Sequence, residues 1–220
     1  GNHSELTEAV KNKTDNFVDI MTKYKNIDIS LDKTTLHTKI SLNNSIFEIP
    51  LYGIFQGWNF LLVYETAKIL KIEDSIIAKG ISDVKWPGRF EIFIRNPLVI
   101  LDGAHNEDSS LKLVENLKSI SNKEDVCFLT SILEDKDIGK ILKNFSSVAD
   151  KIVYTSLKDY HRGLGAKEMY DRDIYFDNRK YYENMVEAYN EAKKSKIVVV
   201  AGSFYLLCEF RRVIESENRL

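Results

Sequence analysis

The residues best placed to do chemistry are Asp102 and His105, in the stretch Pro97-Leu-Val-Ile-Leu-Asp102-Gly103-Ala104-His105-Asn106. A continuous apolar run ending in Asp-Gly is how a buried parallel strand delivers a carboxylate to its carboxyl edge. Asn106, followed by Glu107 and Asp108, reads as an N-cap with acidic residues in the first helical turn. In open α/β sheets ligands sit in the crevice at that edge. An acid there can grip a hydroxyl-rich ligand such as a ribose, while the imidazole touches a second substrate. The plainer alternative is an Asx turn and a helix cap beside a solvent-facing histidine.

Five other segments carry weaker signals. Ala201-Gly202-Ser203 also falls between an apolar run and a helix, where backbone N–H groups and a hydroxyl favour a carboxylate or phosphate. Gly-Ser is equally a good strand-to-helix connection. Leu133-Glu134-Asp135-Lys136-Asp137 sets carboxylates around a lysine, either to bind substrate charge or as a solvated turn in which Asp137 caps a helix. Gln56-Gly57-Trp58-Asn59 opens a helix, with Asn59 in its first turn, where an amide can read a base edge or cap locally. Arg89, after Trp86-Pro87-Gly88, can clamp phosphate bidentately or make a structural ion pair. Lys158 to Gly165 reads as a mobile surface loop, with a substrate-facing role as the alternative. His3 and His37 have no partner at metal-ligand spacing, and no Ser-His-Asp order, CxxC pair or HExxH occurs.

The elements that must position these residues alternate from Trp86 onward. Strands are predicted at Phe90–Ile94, Leu98–Leu101, Val126–Leu129, Lys151–Tyr154, Ile174–Phe176 and Ile197–Val200. Between them lie helical stripes: Leu111, Val114, Leu117 and Ile120; Ile138, Ile141, Leu142 and Phe145; and Tyr182, Met185, Val186, Tyr189 and Ala192. A last helix runs from Phe204 to about Ser216. Such alternation implies an α/β fold, a Rossmann-like, mostly parallel sheet with helices on both faces. Right-handed crossovers then bring the loops after each strand to one edge. Residues 1–85 differ, with a weak helix over Asn12–Tyr24, a hairpin over Thr34–Leu51 around Asn43-Asn44, and a final helix from about Gln56 to Leu70. Nothing there alternates often enough to predict a sheet of its own. The organisation expected is 1–85 as the trailing part of another domain and 86–220 as the α/β domain.

Bulk composition narrows the function classes. With 44% hydrophobic and 29% charged residues over 220 positions, the chain has an ordinary water-soluble globular composition. A net charge of −2 and no basic patch interleaved with aromatics give no electrostatic case for nucleic acid. No apolar run reaches membrane-spanning length and no signal peptide is visible, so a cytoplasmic location is expected. Cys127 and Cys208, both in apolar contexts, read as buried and reduced.

Five landmarks follow one another in order. They are Gly53-Ile-Phe-Gln56-Gly-Trp-Asn59, Trp86-Pro87-Gly88-Arg89, Asp102-Gly-Ala-His105-Asn106, Leu133-Glu-Asp135-Lys136-Asp137 and Ala201-Gly202-Ser203-Phe-Tyr-Leu-Leu. Together they resemble the carboxyl-terminal part of the folylpolyglutamate synthase and dihydrofolate synthase family, within the Mur ligase superfamily. The resemblance runs from about Asn26 and is firmest from Trp86. It implies a Mur ligase C-terminal, glutamate-ligase domain at 86–220, preceded by the trailing part of a central ATP-binding domain. It also implies an ATP-dependent amide ligase, in which ATP phosphorylates a carboxylate of a folate or dihydropteroate and L-glutamate attacks the acyl phosphate. Asn59, Arg89 and Asp102 match nucleotide-contacting positions, and His105, Ser203 and Lys136 match positions for glutamate binding or cleft closure.

Departures from the family pattern shape the expectation. Phe55 stands where the family has a histidine, and Glu107 where it has a proline. No Gly-x-x-x-x-Gly-Lys-Ser/Thr phosphate loop occurs, and the lysine and magnesium ligands of the family's amino-terminal domain are absent. No catalytic or metal-binding residue is therefore assigned in this chain. The expectation is a monomeric carboxyl-terminal piece of a longer synthetase, inactive by itself, that uses ATP and magnesium through an ATP-binding domain in cis. A non-catalytic module keeping the fold, or a Mur-type ligase for another amino acid, are the alternatives.

Overall fold

The computed structural model describes residues 4–14, 17–43, 45–157 and 163–217. The chain divides into two compact units, Gly1–Val84 and Lys85–Leu220.

The first unit runs α1 (Ser4–Lys11), α2 (Ile20–Lys23), β1 (Asp28–Asp32), β2 (His37–Leu42), β3 (Ser45–Ile49), α3 (Ile54–Ile69) and α4 (Asp74–Ser82). Contrary to the sequence expectation, it builds its own sheet, an antiparallel β1-β2-β3 meander. Alternation turns Ile40 and Leu42 of β2 and Phe47 and Ile49 of β3 inward, where they meet Phe60, Leu61 and Tyr64 of α3. β1 escapes notice because its sequence, Asp-Ile-Ser-Leu-Asp, offers only two apolar residues. Helix α3 begins two residues before the predicted Gln56, so Asn59 lies in its second turn, and α4 follows it. The weak helix expected over Asn12–Tyr24 is instead α1, which ends at Lys11, and the single turn α2, capped by Asp19.

The second unit runs β4 (Glu91–Arg95), β5 (Leu98–Asp102), α5 (Glu107–Ile120), β6 (Val126–Thr130), α6 (Ile138–Ser146), β7 (Lys151–Thr155), α7 (Ala166–Arg172), β8 (Asn178–Tyr182), α8 (Met185–Ala192), β9 (Ile197–Ala201) and α9 (Phe204–Glu217). Its six strands lie in the order β4-β5-β9-β6-β7-β8, all parallel except the edge strand β4. β6 and β9 are buried at every position, as strands covered on both faces must be. Cys127, Leu129, Val198 and Val200 share a core with Met185 and Tyr189 of α8 and Leu206 and Phe210 of α9. Phe128, of opposite parity, stacks on Phe145 of α6 at 4.0 Å between centroids. Helices α5 and α6 are joined by a 2.7 Å bond from Asn144 to the Ser110 hydroxyl. The chain thus leaves the neighbouring strands β5 and β9 toward opposite faces of the sheet, which opens a switch point between their ends.

Three predicted elements shift. The strand expected at Ile174–Phe176 is not there; Ile174 is exposed, and the edge strand is the polar Asn178–Tyr182. Tyr182 ends that strand rather than heading a helical stripe, because Asn184 caps α8 immediately after it. On α5 the buried residues are Ser110, Leu113, Val114, Asn116 and Leu117, and Leu111 faces solvent. Cys127 is buried as expected, whereas Cys208 is exposed, against the expectation. Among the described residues no helix is long and apolar enough to cross a membrane.

Candidate functional site

Strand register decides whether the candidate residues meet. Asp102 of β5 pairs with Ala201 of β9, and Ala201 with Thr130 of β6. The loops carrying Gly103–His105, Gly202–Ser203 and Ser131–Lys136 therefore leave one edge in a row, across about 10 Å for two strand spacings.

Asp102 is nearly buried, at 8% exposure, and its carboxylate is held at both oxygens by backbone donors. Oδ1 accepts from Ala104 N at 2.8 Å and Oδ2 from Phe90 N at 2.9 Å. Burial pushes its carboxyl up to about 6, against the pull of those two N–H groups and of the Arg89 charge. Each oxygen keeps a further lone pair for a ligand hydroxyl. The Asx-turn reading of Asp102 therefore holds and does not exclude a ligand.

The turn bearing Arg89 is pinned on both sides. Gly88 N donates to Glu91 Oε2 at 2.7 Å, Gly103 N donates to Gly88 O at 2.8 Å, and Phe90 N reaches Asp102. Gly88 and Phe90 both have positive φ, 75° and 45°, so the turn is tight. Glu91 is held in turn by Arg211, at 2.7 and 2.8 Å. Among the described residues Arg89 makes no ion pair; its guanidinium lies 5.2 Å from the centroid of the Phe204 ring.

His105 donates from Nδ1 to Gly103 O at 2.8 Å, which leaves Nε2 as the acceptor of the neutral ring. Beside it Asn106 caps α5, accepting from Ser109 N at 2.9 Å in a reciprocal capping box. Ser203 Oγ accepts from Leu206 N at 3.2 Å and so caps α9. The connection before it requires glycine, since Gly202 has φ 129° and a Cβ there would come within 2.6 Å of the Ser131 carbonyl oxygen. Gly202 N donates to Ala104 O at 2.9 Å, tying the β9 loop to the β5 loop. Lys136 is half-buried beyond β6, with Nζ 3.0 Å from Asp135, and Asp137 caps α6 through Lys140 N.

Structure brings Arg89, Asp102, His105 and Ser203 together and sets Lys136 on the same edge. Asn59 belongs to the first unit, where it is exposed on α3 and donates to Gln56 Oε1 at 3.1 Å. His37 pairs with Glu48 at 2.9 Å. His3 and Lys158–Arg162 lie outside the described residues. Among the described residues no three His, Cys, Asp or Glu side chains are grouped in a way that could hold a metal ion. Sequence reading passed over Glu91, Phe204 and Arg211. Only Phe204 left a signal, as an aromatic directly after Ala-Gly-Ser.

A mostly parallel sheet with an acid, an arginine and two helix-opening loops at its switch point has the layout in which open α/β sheets form their ligand crevice. The chain belongs to the Mur ligase family, whose glutamate ligase domain matches residues 88–204. It is 32% identical over 148 residues to the dihydrofolate synthase/folylpolyglutamate synthase of Bacillus subtilis strain 168, a match covering 66% of this chain and 34% of that protein. The folylpolyglutamate synthase structure from Thermotoga maritima superposes with a TM-score of 0.70 at 26% identity, over 87% of this chain and 46% of that one. Mycobacterium tuberculosis folylpolyglutamate synthase, solved with ADP and AMPPCP, shares the fold with a TM-score of 0.74 at 21% identity, over 85% of this chain and 46% of that one. The chain thus spans about a third of the length of the curated relative.

Proposed function

We propose that this chain supplies the nucleotide-gripping and glutamate-receiving edge of an ATP-dependent folylpolyglutamate synthase. The row Asp102–Ala201–Thr130, with Arg89 pinned above its β5 end, carries the reading. In this account the spare lone pairs of Asp102 accept from ribose hydroxyls, and Arg89 faces phosphate oxygens. The Lys136 ammonium and the α9 N-terminus at Ser203 receive the carboxylates of L-glutamate. His105 Nε2 accepts from its amino group. That amine attacks the acyl phosphate of the folate, the new amide bond forms and phosphate leaves.

In this account a phosphate loop and magnesium are supplied by a separate ATP-binding domain, and the residues of this chain bind and orient the substrates.

Reconstitution tests the reading. The chain alone should release no ADP when given ATP, a folate and glutamate, and should become active when a domain bearing the phosphate loop is added. Arg89→Ala or Asp102→Ala should then lower turnover by roughly 10- to 100-fold, the usual loss for a charged hydrogen bond. An inert mixture, or variants that turn over like the parent, would sink it.

A further inference from the structure

We propose that Phe204 is a positioning residue that holds Arg89 and His105 in place for the ligand. The inference rests on the nucleotide-binding reading of this edge and concerns a side chain given no role in it. Phe204 is the first residue of α9, immediately after the Ser203 cap, so its direction is fixed by the helix start. The ring reaches back over the β5 loop. A Cβ on Gly103 would fall 2.3 Å from its Cζ, and one on Gly88 would fall 3.2 Å from its Cε1. The Arg89 guanidinium lies 5.2 Å from the ring centroid, and the His105 ring 6.2 Å from it at a tilt of 54°.

One aromatic ring thus touches both flexible members of the cluster, and the two glycines leave room for it to do so. The backbone bonds described above fix where Arg89 starts, but they leave its long side chain free. With no ion pair to hold it among the described residues, the guanidinium is oriented by the ring face together with the charge of Asp102. A cation over an aromatic face gains an electrostatic contact without giving up its N–H donors, which lie in the guanidinium plane and still point outward to phosphate oxygens. His105 is steadied from two sides, by the Gly103 carbonyl at Nδ1 and by the tilted Phe204 ring, so that Nε2 keeps one direction.

The test uses the 220-residue chain with Phe204→Ala, Phe204→Leu and Phe204→Tyr, and two readouts. In the free chain, the ring current of Phe204 should displace the Arg89 Nε–H and His105 ring-proton resonances. Tyr should keep that displacement, and Ala and Leu should abolish it. In ADP titrations, Ala and Leu should weaken binding about fivefold, the size expected of one cation–π contact, and Tyr should restore it. Leu keeps the bulk over Gly103, so a loss shared by Ala and Leu but not Tyr reports on the aromatic face and not on folding. Resonances that stay put in Phe204→Leu, or ADP affinity equal to the parent's in both Ala and Leu, would overturn the proposal. If the parent chain fails to bind ADP, the nucleotide reading falls, and the resonance shifts still decide whether Phe204 holds the two side chains.

Discussion

Asp102 is a carboxylate that folding would rather protonate. Its burial raises the carboxyl from 3.8 to about 6, so the folded state binds the proton more tightly than the unfolded chain does. Its contribution to stability is therefore fully present below about pH 4 and is lost as pH rises through about 6, a cost on the order of 3 kcal/mol at neutral pH. Denaturant unfolding of Asp102→Asn between pH 4 and 8 should show a correspondingly shallower fall; curves parallel to the parent's would deny the shift. The ionised form is also the one that accepts from hydroxyls on every free lone pair, so ADP affinity should drop as pH falls below about 6, and in Asp102→Asn it should not. Asp102 was legible in the sequence because a fully apolar strand leaves its terminal acid only one place to go. The role proposed for Phe204 was not, because its contact with Gly103 joins residues a hundred positions apart, and an aromatic after Ala-Gly-Ser does not say which loop it meets.

At the scale of elements, the segments that read clearly are those whose burial is uniform. β6 and β9 are apolar or buried throughout, and α6, with Ile141, Leu142 and Phe145 on one face, shows its period plainly. Edge strands defeat the same reasoning. β8 is Asn-Arg-Lys-Tyr-Tyr with only Arg179 and Tyr182 half-buried, so the nearby Ile174 and Tyr175 draw the start of the predicted strand four residues too early. β1 fails for the same reason. The connections between elements are specified more sharply than the elements. Gly202→Ala places a side chain against the Ser131 carbonyl at a φ that L-residues avoid, and should cost on the order of 3 kcal/mol in thermal or denaturant unfolding. A loss below about 1 kcal/mol would mean that the β9 loop is not held where the Ala104 and Ser131 contacts put it. Asn106→Ala should cost about 1 kcal/mol, as loss of an ordinary N-cap does.

For the molecule as a whole, the two units have separate cores. Residues 85–220 carry a sheet covered on both faces, so this segment expressed alone should fold and melt cooperatively; a non-cooperative transition would show that its core is incomplete. The carboxyl edge at β5 and β9 is the proposed nucleotide site. Its most direct test is an ADP titration of the isotopically labelled 220-residue chain, following backbone amide resonances. The predicted result is saturable movement of Gly88–Phe90, Asp102–His105 and Gly202–Phe204, suppressed in Arg89→Ala. Saturable binding that leaves those amides unmoved and shifts others would contradict it.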